Sequence, residues 1–372
     1  TKATIERIVF EIDDYDLHFI NRQTAIANPF IWKNNLLGGG RIKLLIEKVQ
    51  ELPLFEDFLK EKECYAEEGL IVANSHKKTA THLQNIPFLP ADAINEDSII
   101  YDKLTTFQWK KVNKLPTEKI FKAPNIILWK NIGKKRLPIF YNETDFSFRD
   151  QIVGIKGADK KLMKDIVTNI NLYSDFYRFY MFVVSGYLLI HRNTFLLKKD
   201  YMQLRYINEN VEDYFSDFDK NVISDVNNYF QLMLRNGENS KALQPIAKKE
   251  LQSVLLHYGM EFSRALNAIY GNEERQFRLV QVVQLKNSFI ATVFKYDNLT
   301  NPVEFVNENA INIEELSNEK LSAHLSANRI VKLYPEKDMI VFVKPNQYRY
   351  WLSLTAYRDA DKCFSDLINT GY

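Results

Sequence analysis

Hydrophobic positions along the chain follow two rhythms, one of period two and one near 3.6 residues. Thr4-Ile-Glu-Arg-Ile-Val-Phe-Glu-Ile12 is rich in β-branched residues and predicts a strand, closed by the turn residues Asp13-Asp14-Tyr15-Asp16. Asn28 to Lys33 reads as a further strand carrying a partly buried Trp32. Gly38-Gly39-Gly40 marks a turn into a helix over 41–52, with Leu44, Leu45, Val49 and Leu52 on one face. Pro53 starts a short helix that buries Leu54, Phe55, Phe58 and Leu59. Residues 73–85 are polar and predict a surface loop, and Pro87, Pro90 and Pro116 punctuate an irregular stretch with short strands.

From Ala123 to Tyr206 the pattern is more regular, and the rest of the chain is organised around it. Pro124 to Lys130 is a buried-type strand, Gly133-Lys-Lys-Arg136 a basic turn, and 137–141 a second strand. Phe146-Ser-Phe148 and the segment Ile152 to Gly157 follow. A long helix is predicted from Asp159, with Leu162, Ile166, Ile170, Tyr173, Tyr177 and Tyr180 on its core face and Arg178 off that stripe, freer to act. A strand near Tyr187 to Arg192 closes the unit.

After Leu204 the pattern changes. Asn208 to Asp219 is acidic and polar and predicts a connector. Helices are expected over 222–234 and 242–270, the second with Leu251, Leu255, Tyr258, Phe262, Leu266 and Ile269 on one face. A hairpin is expected from 276–284 and 288–296, a second strand pair from 329–334 and 339–344, and a last helix over 348–369. The fold expected is α+β, with a mixed-sheet domain over 1–207 and a smaller helical and β-hairpin accessory domain over 208–372.

Composition narrows the function. With 46% hydrophobic and 13% aromatic residues the chain is no disordered segment. A net charge of +2 means that any basic footprint is local. Cys64 and Cys363 lie far apart, which fits neither a disulfide framework nor a zinc site and suits a reducing cytoplasm. No apolar run is long enough to span a bilayer, so no membrane partner is expected. His76 and His82 lack helical ligand spacing.

Catalytic patterns do not surface. Asp159-Lys160-Lys161 resembles part of a metal nuclease signature, but it sits at a helix start, where Asp is ordinary. The three glycines could offer N–H groups to a backbone phosphate, with Arg41 beside them, yet they do not form a G-x-G-x-x-G turn. Asn28-Pro29-Phe30 is close to the Asn-Pro-Pro-aromatic element that holds a flipped adenine, but it lacks the second Pro. Only 27 residues precede it, too few for a cofactor-binding half-sheet.

The order of elements from Phe30 to Leu204 resembles the target-recognition region of adenine-N6 DNA methyltransferases of type I and fused type II restriction-modification systems. The matching residues are Pro124 to Lys130, the Gly-Ile-x-Gly element Gly154 to Gly157, Leu162 to Ser174, and the basic exit from Arg192 to Leu204. The chain has Leu204-Arg205 where that family often has Leu-Pro. The resemblance implies a piece that docks on double-stranded DNA and selects the sequence, without being catalytic alone. Methyl transfer from S-adenosylmethionine would be done by an N-terminal methyltransferase domain of the same polypeptide, and no cofactor is expected in this part. The expected DNA-facing residues are Lys130, Lys134, Lys135 and Arg136, with Lys156, Arg192, Lys198, Lys199 and Arg41 contributing. A protein–protein assembly module of a bacterial defence complex is the alternative, and a divergent enzyme the third reading.

Overall fold

The computed structural model describes residues 20–27, 30–37, 40–72, 78–186, 188, 194–208, 214–285, 289–307 and 330–370. The chain is α+β, with helices and several small sheets distributed over two compact units. One unit comprises residues 45–216; the other joins the residues up to Leu44 with 217–372.

Among the described residues three helices come first: α1 Arg22–Ala27, α2 Ile31–Leu37 and α3 Gly40–Val49. The strand expected at Asn28 to Lys33 is instead helical from Ile31, and Trp32 is 62% exposed. Among the side chains described in α2, Ile31, Asn34 and Leu37 are buried, a spacing of three that one helix face satisfies and strand alternation does not. In α3 the core face is Ile42, Leu45, Ile46 and Val49, while Leu44 points to solvent. The strand expected at Thr4 to Ile12, the Asn28-Pro29 pair and Gly38-Gly39 lie outside the described residues.

The 45–216 unit opens with α4 Phe55–Glu61, whose Phe55 and Phe58 rings pack on Tyr206 at 5.3 and 4.3 Å. Strands β1 Tyr65–Glu68, β2 Lys78–Thr79, β3 Pro87–Phe88, β4 Thr105–Thr106 and β5 Lys111–Val112 follow, then β6 Asn125–Trp129, β7 Ile139–Asn142 and β8 Ile152–Lys156. The main sheet has the order β1-β8-β6-β7, antiparallel throughout, while β2 pairs β5 and β3 pairs β4. Leu70, Phe88, Phe107, Phe121, Phe146 and Phe148 form the core beneath it. Gly154 lies in β8 because a Cβ there would stand 2.5 Å from Ile120 and 2.7 Å from Phe148.

The single helix expected after Gly157 is two: α5 Lys160–Leu172, with Asp159 accepting from the N–H groups of Lys161 and Leu162, and α6 Ser174–Val184. α5 buries one face, whereas in α6 every residue but Asp175 is buried. A helix buried on nearly every side has to sit inside the unit, so it cannot extend a surface helix in a straight line. Tyr177 and Tyr201 are core residues: the Tyr177 hydroxyl accepts from Ile207 N at 2.9 Å, and the Tyr201 hydroxyl reaches the carbonyls of Trp129 and Asn131. α7 Lys198–Met202 completes the unit; most of the strand expected at Tyr187 to Arg192 lies outside the described residues.

The other unit continues with α8 Asp217–Asp225, a π-helical turn Val226–Phe230, α9 Gln231–Asn236 and α10 Lys248–Tyr270. α8 begins inside the stretch read as a connector. Strands β9 Gln276–Leu285, β10 Phe289–Asp297, β11 Glu304–Asn307, β12 Val331–Leu333 and β13 Met339–Pro345 form one sheet in the order β11-β9-β10-β13-β12. Only the β11–β9 pair is parallel among them. The final helix is α11 Ser353–Asn369. Phe262 of α10 packs on Phe294 and Phe342 of the sheet at 4.2 and 5.3 Å. Within this core Lys344 and Asp359, both fully buried, form an ion pair joined by the Tyr258 hydroxyl, which lies 2.7 Å from Asp359 and 2.9 Å from Lys344.

Candidate nucleic-acid interface

The basic turn between β6 and β7 is built backbone first. Gly133 takes a left-handed φ of +67°, and a Cβ at that position would stand 1.9 Å from the Arg136 carbonyl oxygen. The turn folds over a carboxylate. Backbone N–H groups of Lys134, Lys135 and Arg136 all donate to Glu96, from Lys134 at 2.7 Å and from Arg136 at 3.0 Å. Successive N–H groups converging on one anion make a nest, and here the protein's own carboxylate fills it. Burial pushes the Glu96 carboxyl up, but these donors and the nearby Arg178 charge outweigh it and hold it below the ordinary carboxylate range.

Side chains complete the brace. Arg136 donates to the carbonyls of Glu96 at 3.2 Å and Asp97 at 2.6 Å. Arg178 is buried, not free as its place off the helix stripe suggested; it reaches the Lys135 carbonyl and Asp175, each at 3.3 Å. Leu137 N donates to the Ser174 hydroxyl at 3.0 Å. Lys134 and Lys135 themselves are exposed residues.

The other expected cations divide by what they touch. Lys130, with a side chain 13% exposed, pairs with Glu68 at 2.8 Å, and Lys114 shares that carboxylate at 3.2 Å. Burial raises the Glu68 carboxyl, yet the two ammonium groups prevail and hold it low. Lys156 donates to the carbonyls of Lys122 and Pro124 at 2.9 and 2.8 Å, and its pKa is lowered by burial, with the Lys160 charge adding and Asp145 opposing. Lys198 donates to the Ala66 carbonyl at 2.6 Å. Arg41 belongs to the other unit, where its guanidinium makes a two-point pair with Asp361 at 2.7 and 3.1 Å. Lys199 is exposed, and Arg192 lies outside the described residues.

Exposed Lys78, Lys110 and Lys111 lie where β2 pairs with β5, a basic ribbon outside the expected set of cations. Glu96 had no signal, because an acid in an Asn-Glu-Asp turn is ordinary and its partners lie 38 to 40 residues on.

Among the described residues no group of three His, Cys, Asp or Glu could hold a metal ion. Among the described residues neither main sheet is a doubly wound parallel sheet. The arrangement can hold anionic oxygens at Lys134 and Lys135. In comparison with known proteins, the chain matches no family model, and none of the curated proteins matches it.

Proposed function

We propose that residues 45–216 dock on double-stranded DNA as the target-recognition region of an adenine-N6 DNA methyltransferase of a restriction-modification system. An N-terminal methyltransferase domain of the same polypeptide would bind S-adenosylmethionine and transfer the methyl group in the cytoplasm. The observation that supports this reading is the braced turn, which presents Lys134 and Lys135 from the end of a sheet with its backbone already fixed. Exposed cations on a rigid loop suit phosphate oxygens. Among the described residues no helix is long and apolar enough to cross a membrane.

A second reading, an assembly module of a defence complex, is favoured by one feature. Lys130, Arg136, Lys156 and Lys198 are engaged by the protein's own carboxylates and carbonyls. The two readings separate in a salt series. Fluorescence anisotropy of a labelled duplex should give a log–log slope of about −0.9 for each phosphate neutralised. The Lys134→Ala/Lys135→Ala variant should flatten that slope by roughly one to two units. A flat wild-type response would sink the DNA reading and leave the assembly module.

A further inference from the structure

Resting on that DNA reading, we propose that Glu96, an acidic residue, increases affinity for DNA by fixing the Gly133–Arg136 turn. It would be a positioning residue and touch no phosphate itself. Its carboxylate takes three consecutive backbone N–H groups, a set that no other side chain near the turn satisfies among the described contacts. Glu96 is itself anchored: the Asn95 side chain accepts from Asp97 N at 2.8 Å and Ser98 N at 2.9 Å, closing the loop that carries it. Arg136 then ties the turn to the same loop through the Glu96 and Asp97 carbonyls. Without the carboxylate, three N–H groups lose their acceptor and the turn gains conformational freedom. That freedom would have to be given up again on binding, which weakens affinity without removing a phosphate contact.

Charge alone makes the opposite prediction. Deleting a negative group beside two exposed lysines raises the local positive potential and should tighten binding to a polyanion. The sign of the effect therefore separates positioning from electrostatics. Glu96→Ala should weaken duplex binding about tenfold, from the ordering that the free turn must undergo. Glu96→Gln, which keeps one acceptor oxygen and the side-chain shape, should restore part of the loss.

The test measures duplex affinity at one fixed salt concentration for wild type, Glu96→Ala, Glu96→Gln and Lys134→Ala/Lys135→Ala, and for Glu96→Gln in the double-lysine background. Positioning requires that Glu96→Gln costs affinity in the wild-type background and next to nothing once the lysines are gone. A loss of equal size in both backgrounds would mean general destabilisation and overturn the proposal. So would Glu96 variants that bind as tightly as wild type or tighter. If wild type itself shows no salt-dependent binding, the DNA reading fails and takes this inference with it; wild-type binding with unweakened Glu96 variants overturns the inference alone.

Discussion

Two lysine environments, one in each unit, stand at opposite extremes. In the 217–372 part Lys344 is fully buried on a central strand, paired with Asp359 and facing the Trp351 ring at 5.0 Å. In the 45–216 unit Lys134 and Lys135 stand exposed on a turn whose bonds all run through backbone atoms and neighbours. A buried pair loses hydration on both ions, so its attraction serves mainly to offset that cost. An exposed ammonium keeps its water and can exchange it for a phosphate. What a lysine touches, not how many lysines adjoin it, decides whether it is available to a ligand.

The comparison breaks most visibly at Lys344. Burial pulls its ammonium down and pushes the Asp359 carboxyl up. Lys344→Met leaves that carboxyl buried without its cation and should cost about 3–5 kcal/mol in chemical denaturation. The triple change Lys344→Met/Asp359→Leu/Tyr258→Phe removes all three polar ends and should recover most of that stability. Failure to recover would show that the network does more than satisfy itself.

Asp225 sharpens the contrast through pH. Its carboxylate accepts from Leu354 N at 2.8 Å, near the start of α11. Burial, aided by the Glu261 charge and opposed by N–H groups of Leu354 and Ser353, raises it from 3.8 to about 7. The native state therefore keeps a proton that the unfolded chain has lost. That contribution is complete below the unfolded value and is lost as pH rises through about 7. Between pH 5 and 7.5 the loss should be about 2–3 kcal/mol. Asp225→Asn keeps an acceptor oxygen without the charge, and urea midpoints at the two pH values should differ less for it than for wild type.

Lys156 tests the same division inside the first unit. Lys156→Met removes two bonds to loop carbonyls and should cost about 1.5–3 kcal/mol of stability. Its DNA salt slope should stay that of wild type. A flattened slope would put Lys156 in the interface and blur the line between engaged and available cations. The smallest effect belongs to Arg41→Ala, which breaks the half-exposed pair with Asp361 and should cost at most about 1 kcal/mol.

Much of the framework was legible from periodicity. The strand at Asn125–Trp129, the Asp159 helix start and the 276–297 hairpin lie where local pattern puts them. Asn28 to Lys33 was misread because three consecutive β-branched or aromatic residues, Phe30, Ile31 and Trp32, look like a strand, while the described burial at Ile31, Asn34 and Leu37 has a period of three. The α5–α6 break was hidden because one apolar stripe continues across Tyr173 in sequence. In the candidate site, the basic turn was visible but its brace was not. Glu68 and Lys130 are 62 residues apart, and no local rule pairs residues at that separation. Lys344 reads as an ordinary strand-end lysine until α10 and α11 close over it.

The Glu96 brace also bears on how this surface could diversify. Its bonds go to main-chain N–H groups, which every residue except proline carries. The shape of the turn is therefore indifferent to the side chains at 134 and 135. Lysine could give way there to asparagine, glutamine or arginine with the backbone path unchanged. One distant acid thus turns two neighbouring positions into interchangeable tips, free to explore new partners while the scaffold beneath them stands still.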